Sequence, residues 1–352
     1  MCPGTGRCLL VVLATVGLAV AGLQAQKGPA LPDVLKIAGD YLVQYSEKIS
    51  GIAAEEEFLQ YETTSGKMDT PKRVSSDFVL YGSGDGTVTA FRDVFAVDTV
   101  AVRQRDDRLP ALFKHPTAES GQQARQLSED SVRAYLNPNL HVLDQPTVAL
   151  DFLRKENQER STFKIESLKN MNGAQVAVLK FNERSTPRLI PSNENSAAVG
   201  RFWVDVGTGA VRQTELGVTG KGTSIRVTVK YEPQPTLALW LPVEMYQQFE
   251  LSVQGVNGMN NMGSGGGYTG RQTLEGRATY SKYRTISDPK GFAPRDSPTR
   301  SLARRFAGAL RSRGSLAAAR SRRESGHGLM MVASFFAGPG GAVRCFSADS
   351  TI

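Results

Sequence analysis

Between residues 200 and 286 the chain alternates apolar and polar side chains through four or five successive segments. Three of the reversals between them are glycine-rich, and a helix cannot satisfy the pattern. The run GRFWVDV at 200–206 turns at Gly207, Thr208 and Gly209 and returns from Val211 to Val218. A second reversal at Gly220, Lys221 and Gly222 leads into residues 224–231. There Ile225, Val227, Val229 and Tyr231 alternate with Ser224, Arg226, Thr228 and Lys230. A period of two buries one face of a strand only. Residues 241–253 repeat the pattern, with Val243, Met245, Phe249 and Leu251 on one side and Glu244, Tyr246, Gln248 and Glu250 on the other. Residues 274–286 close the series. No catalytic residue type is concentrated in this run, so it reads as a scaffold that binds rather than a site that transforms.

The preceding half supplies the rest of one domain. After Pro32, Val34, Ile37, Tyr41, Tyr45 and Ile49 recur at three- and four-residue steps and predict a helix over 33–49, ended by Gly51. Strands are expected over 52–62 and 74–81. A turn at Asp85 and Gly86 follows, then a strand over 87–102 with a break near Asp98. The middle reads as helical: Thr117 caps a helix running to about Tyr135, which Asn137 and Pro138 stop, and Pro146 opens a short second one. Strands resume over 163–168 and 175–182 across the turn Asn172–Gly173. The second carries apolar residues on both faces, as a strand covered on both sides does. The expectation is an α+β domain: a long, curved, mostly antiparallel sheet, forming an incomplete barrel, with an N-terminal helix and a helical insertion packed on it.

The two ends differ from this domain. Arg7 precedes an apolar stretch of 15 residues, Leu9 to Leu23, and Ala25 suits cleavage, which reads as an export signal over 1–25. Fifteen residues fall short of the roughly 20 that span a bilayer. A second cleavage motif at Ala19 and Ala21 leaves the mature start open. Cys2 and Cys8 leave with the signal and Cys345 lies near the other end, so the domain over 26–289 has no disulfide or thiolate metal site to use. The net charge of +8 resides wholly in residues 290–352, which hold eleven basic against three acidic residues. The preceding 289 residues hold 31 of each, giving no electrostatic reason to bind nucleic acid. The tail is rich in Arg, Ser, Ala and Gly. It reads as a disordered extension or, through Leu302, Phe306 and Leu310 beside Arg304, Arg305 and Arg311, as a basic amphipathic helix touching anionic membrane.

Chemical motifs are few. Residues 254–272 contain seven glycines, but strands flank them and no Gly-Lys-Ser/Thr follows, so they form a hairpin loop and not a phosphate cradle. His115 and His141 stand apart without an acidic ligand pattern. The carboxylates Glu55, Glu56 and Glu57 lie inside the first strand. An inward Glu56 needs an arginine partner, for which Arg92, Arg103, Arg105 and Arg108 are candidates. An exported hydrolase working through Glu56 or Asp93 is the enzymatic alternative, and a structural module of the cell envelope is another. No cofactor or metal is expected.

The hairpin at 200–216, the LPVEM strand at 241–245 and the GRATYSKY segment at 276–283 together resemble exported bacterial proteins of the LolA-like kind, above all their uncharacterised secreted relatives. The resemblance covers about residues 30–286. It implies an incomplete, strongly curved antiparallel barrel, lidded by helices, that holds acyl chains or other lipids in an apolar cavity. The stretch between Val102 and Thr162 is longer than the compact family pattern. The implied protein is periplasmic or secreted and binds a hydrophobic small molecule or lipid, with an envelope protein as a further partner. Phe202, Val204, Val227, Val229, Val243, Met245 and Phe249 are the inward ligand-binding candidates, and Trp203 on the opposite face is expected to pack under a helix.

Overall fold

The N-terminal helix α1, Leu31–Lys48, carries Pro32 and Asp33 in its first turn and Lys48 in its last, which suits both ends of the helix dipole. The computed structural model describes residues 28–64, 66–135, 145–191, 195–254 and 269–286. The expected export signal over 1–25, most of the glycine-rich stretch 254–272, His141 and the tail from 290 lie outside the described residues. The buried face of α1 is Val34, Ala38, Leu42 and Tyr45, with Ile49 just beyond its end. Ile37 and Tyr41, expected on that stripe, are half-buried at its flank because the small Ala38 and Leu42 take the closest approach.

Gly51 follows at φ 76 and turns the chain into the sheet. Its strands are β1 Ile52–Thr64, β2 Lys67–Met68, β3 Lys72–Gly82, β4 Val88–Val97, β5 Val100–Ala101, β6 Ser161–Met171, β7 Ala174–Glu183, β8 Ala198–Asp205, β9 Val211–Thr219, β10 Thr223–Gln234, β11 Leu239–Gln254 and β12 Thr269–Thr285. The insertion between β5 and β6 contains α2 Arg108–Lys114, α3 Ser120–Ser131, a buried 3₁₀ segment Val148–Leu153 and the short α4 Lys155–Gln158. The strand order is β5-β4-β3-β1-β12-β11-β10-β9-β8-β7-β6, with β2 beside β1, and each neighbouring pair is antiparallel.

The sheet is rolled but does not close. Helix α1 touches both β3 and β6, which stand eight places apart in the strand order. Eight spacings of about 4.8 Å would cover roughly 38 Å if flat, far wider than a helix of about 10–12 Å. The sheet therefore curves around α1, an incomplete barrel of the kind expected. Its inner face, α1 and the 3₁₀ segment share one core, in which Phe152, Phe181 and Phe202 follow one another at 4.8 and 4.9 Å.

On the outer side α2 and α3 cover β3 and β4, burying Leu109, Phe113 and Ala124 against Val79, Tyr81 and Phe91. The seven-residue α2 was not anticipated. It starts after Asp107 in a left-handed conformation, φ 49, with too few residues to show a helical period. The expected break at Asp98 is a tight turn, with Asp98 and Thr99 at φ 48 and 71. The β8–β9 hairpin abuts α1 at Gly209, φ 76, where a Cβ would lie 2.3 Å from the Ile37 carbonyl oxygen. Strand β7 buries both faces as expected, Ala177, Leu179 and Phe181 inward and Val176 and Val178 outward. Trp203 corrects an expectation. It packs outward on Val176, Val178 and Met171, under the Lys169 ammonium at 5.9 Å and not under a helix.

Candidate functional site

The alternation read from residues 200–253 places six of the seven candidate residues in one interior. Phe202 and Val204 on β8, Val227 and Val229 on β10, and Met245 and Phe249 on β11 all belong to the inner core and are at most 8% exposed. Val243 does not join them. The register between β10 and β11 shifts so that Lys230 faces Glu244 while Tyr231 faces Pro242, which leaves Val243 as the extra residue of a bulge, half-buried. The concave face is lidded. Val34, Ala38, Leu42 and Tyr45 of α1 and Val148, Leu150, Phe152 and Leu153 of the 3₁₀ segment complete the apolar wall. The segment before the 3₁₀ turn is tied down by the Tyr231 hydroxyl, which donates to the Pro146 carbonyl at 2.6 Å, and by the Thr147 hydroxyl, which donates to the Val88 carbonyl at 3.1 Å.

This interior also holds polar groups that the alternation alone did not single out. Glu56 on β1 and Arg92 on β4 point into it, completely buried, and pair in a two-pronged fashion: Arg92 Nε donates to Oε2 at 2.5 Å and an outer nitrogen donates to Oε1 at 2.9 Å. The Arg92 guanidinium also lies 5.3 Å from the Phe78 ring centre. Glu56 is flanked in register by Tyr280 on β12 and Ser76 on β3. Tyr45, Tyr231, Tyr280 and Tyr283 line the same space, and burial pushes their hydroxyls above the ordinary tyrosine range. The sequence signal for them was present: Tyr231 and Tyr280 fall on inward-phase positions and Tyr45 on the helix stripe.

Among the polar atoms of this interior that make no hydrogen bond with any described residue are the Tyr45 hydroxyl, the Ser76 hydroxyl and Gln247 Oε1. Each sits among core residues, Ser76 between Val74 and Phe78, Gln247 between Met245 and Phe249. Leaving such a group unmade costs about 1–3 kcal/mol.

The carboxylates considered for catalysis are held in ion pairs. Glu56 has Arg92, as an inward carboxylate requires. Asp93, on the outer face, meets Arg108 at 2.6 Å and Arg103 at 2.7 Å, while Asp77 beside it meets Arg105 at 2.7 Å. These contacts strap residues 103–108 across β3 and β4. An open cleft of about 440 Å³ next to the strap is lined by Glu55, Arg105, Asp107, Lys282 and Arg284. Its charges pair among themselves, Glu55 with Arg105 and Lys282 at 2.7 and 2.8 Å and Asp107 with Arg284 at 3.3 Å. Such a surface suits no apolar ligand. Among the described residues no group of three His, Cys, Asp or Glu side chains is placed to hold a metal ion, and no helix is long and apolar enough to cross a membrane.

No protein-family model matches the chain, and no curated protein does. Among solved structures the chain is similar to a domain from Vibrio parahaemolyticus provisionally assigned as an outer membrane lipoprotein-sorting protein. That match has 10% identity, covers 76% of this chain and 97% of that one, and has a TM-score of 0.34. A DUF1329 family protein from Desulfovibrio piger matches at 10% identity over 72% and 93% of the two chains, with a TM-score of 0.29. A LolA superfamily protein from Nitrosomonas europaea matches at 11% identity over 75% and 96%, with a TM-score of 0.26. These superpositions are loose, and the architecture is defined here by strand order and register.

Proposed function

We propose that this protein is an exported binding protein, periplasmic or secreted, that holds a hydrophobic ligand such as a lipid or acyl chain within its curved sheet and does not transform it. The observation that carries this reading is the single apolar interior formed by Phe202, Val204, Val227, Val229, Met245 and Phe249 with α1 and the 3₁₀ segment. An open sheet keeps two edges, and its lid is held by a handful of hydrogen bonds, so the interior can be reached without breaking the strand ladder. The binding unit on this reading is residues 26–289, with the basic tail free to touch anionic membrane.

The test is mass spectrometry of organic extracts from the purified protein, together with titration of a fluorescent fatty acid. Co-purified lipid and saturable uptake are expected. Protein that carries no lipid and takes up no probe would remove the proposal.

A further inference from the structure

The two edges of this sheet are finished differently. On the β4 edge, side chains of Gln145, Ser128, Ser131 and Thr147 bond the backbone between Val88 and Val94. The β6 edge is bare: between Thr162 and Asn170, no described residue outside β7 hydrogen-bonds its backbone. The strand is 11 residues long and extends over roughly 36 Å, presenting alternate N–H and carbonyl groups away from the sheet.

The two faces of β6 differ in kind. Phe163 and Ile165 point inward and are only half-buried, because the sheet ends beside them. Leu168, opposite the inward Ala177, is 41% exposed. On the outer face Lys164 stands opposite Lys180, a like-charged cross-strand pair that costs stability, and Lys169 follows beyond the bulge at Glu166. None of these three lysines forms an ion pair with a described residue, and Glu166 is taken by Arg201 at 2.6 Å. Half of a ladder is therefore present, with an apolar row on one side and a row of unneutralised lysines on the other.

We propose that β6 takes up an extended acidic peptide segment of a partner protein as an added strand. That segment alternates apolar and acidic residues, the complement of β6: its apolar side chains lie beside Phe163, Ile165 and Leu168. Its carboxylates lie beside Lys164 and Lys169, in the field of Lys180. A second copy of this chain fits less well. Two β6 strands paired antiparallel with Ile165 against Leu168 would set Lys164 against Lys169 twice. The chain's own tail, with eleven basic and three acidic residues, has the wrong sign. Strand addition at this edge does not depend on what fills the interior.

The experiment titrates the purified full chain into a short fluorescein-labelled peptide of alternating glutamate and valine and reads anisotropy. Saturable binding is expected, weakening as salt rises. Lys164→Glu with Lys180→Glu is expected to loosen it about tenfold, as attraction becomes repulsion at two exposed positions. An unchanged melting temperature of that variant separates lost binding from a lost fold. Two control peptides are expected not to bind. One carries lysine in place of glutamate; the other keeps its glutamates but is N-methylated at every amide and has no N–H to donate. Equal binding of the methylated peptide would make the contact electrostatic only. Undiminished binding to the lysine variant would place the contact elsewhere, on the basic tail. Either result would overturn strand addition at β6, as would a failure of the glutamate peptide to bind. A dimer that the lysine changes dissociate would give the edge to a second copy instead. Phosphatidylglycerol vesicles held through the same lysines, with no peptide binding, would give this face to a membrane surface.

Discussion

Gln145 pairs with Ala90 as a neighbouring strand would. Its Oε1 accepts from the Ala90 backbone N–H at 2.8 Å and its Nε2 donates to the Ala90 carbonyl at 3.0 Å. Along the same edge of β4 the Ser128 hydroxyl accepts from the Arg92 N–H at 2.9 Å and the Ser131 hydroxyl accepts from the Val94 N–H at 3.0 Å. The two-residue β5 covers only the far end of β4, at Ala96 and Val97. The insertion therefore finishes with side chains an edge that would otherwise present buried, unpaired backbone groups.

Gln145→Leu fills a similar volume and removes both bonds, leaving the N–H and carbonyl of Ala90 buried without partners. The expected loss is about 3 kcal/mol, at 1–3 kcal/mol for each stranded group. Urea unfolding of the two proteins measures it. A loss under about 0.5 kcal/mol, the size of an ordinary surface substitution, would show that this edge is not held by Gln145.

The buried pair of Glu56 and Arg92 makes a second, asymmetric prediction. Removing one partner strands the other charge in an apolar interior, so Glu56→Gln or Arg92→Met is expected to cost about 3–5 kcal/mol. Replacing both, Glu56→Met with Arg92→Leu, is expected to restore most of that loss, because the two desolvation costs disappear together. The same denaturation series decides it. Additive losses in the double variant would mean that each side chain is held by other partners. If Glu56 served hydrolysis instead, the double variant would recover stability and lose turnover on an ester substrate.

Much of this architecture is legible from side-chain alternation. Ile225, Val227, Val229 and Tyr231 face inward as their period requires, and the turn at Asn172–Gly173 carries the positive φ that Asn and Gly favour. Val243 was misplaced because a bulge shifts the phase of alternation by one, and Leu241-Pro242-Val243 contains no glycine to mark it. Trp203 was assigned a helical cover because an outward aromatic needs one; its neighbours on β7 and the Lys169 stem supply it instead. The partner of Glu56 could be narrowed to four arginines by charge balance. Choosing Arg92 needed the register that sets β3 between β1 and β4. The polar groups of the interior were hidden for the same reason: Tyr45, Ser76 and Gln247 face one core only when the sheet rolls around α1.

Asp151 gives the stability of this protein a pH dependence of unusual sign. It lies in the 3₁₀ segment of the lid, and burial pushes its carboxyl up to about 7, against the pull of Arg154 at 3.8 Å, with Asp85 and Glu156 adding to the rise. A carboxyl raised in the folded state binds its proton more tightly there than in the unfolded chain. Its contribution is therefore fully present below the unfolded value of 3.8 and is lost as pH rises through about 7. A gap of about three pKa units corresponds to on the order of 4 kcal/mol. Glu55, Asp85 and Asp205 are shifted downward and work in the opposite direction, so the total profile of the wild type mixes both signs. Comparison with Asp151→Asn isolates the one group: the amide keeps the shape and cannot ionise. Between pH 5 and pH 8 the wild type is expected to lose stability relative to this variant, by several kcal/mol in urea unfolding. A difference that stays flat over that range, or that appears only below pH 4, would mean that Asp151 is ionised in the folded lid and paired with Arg154.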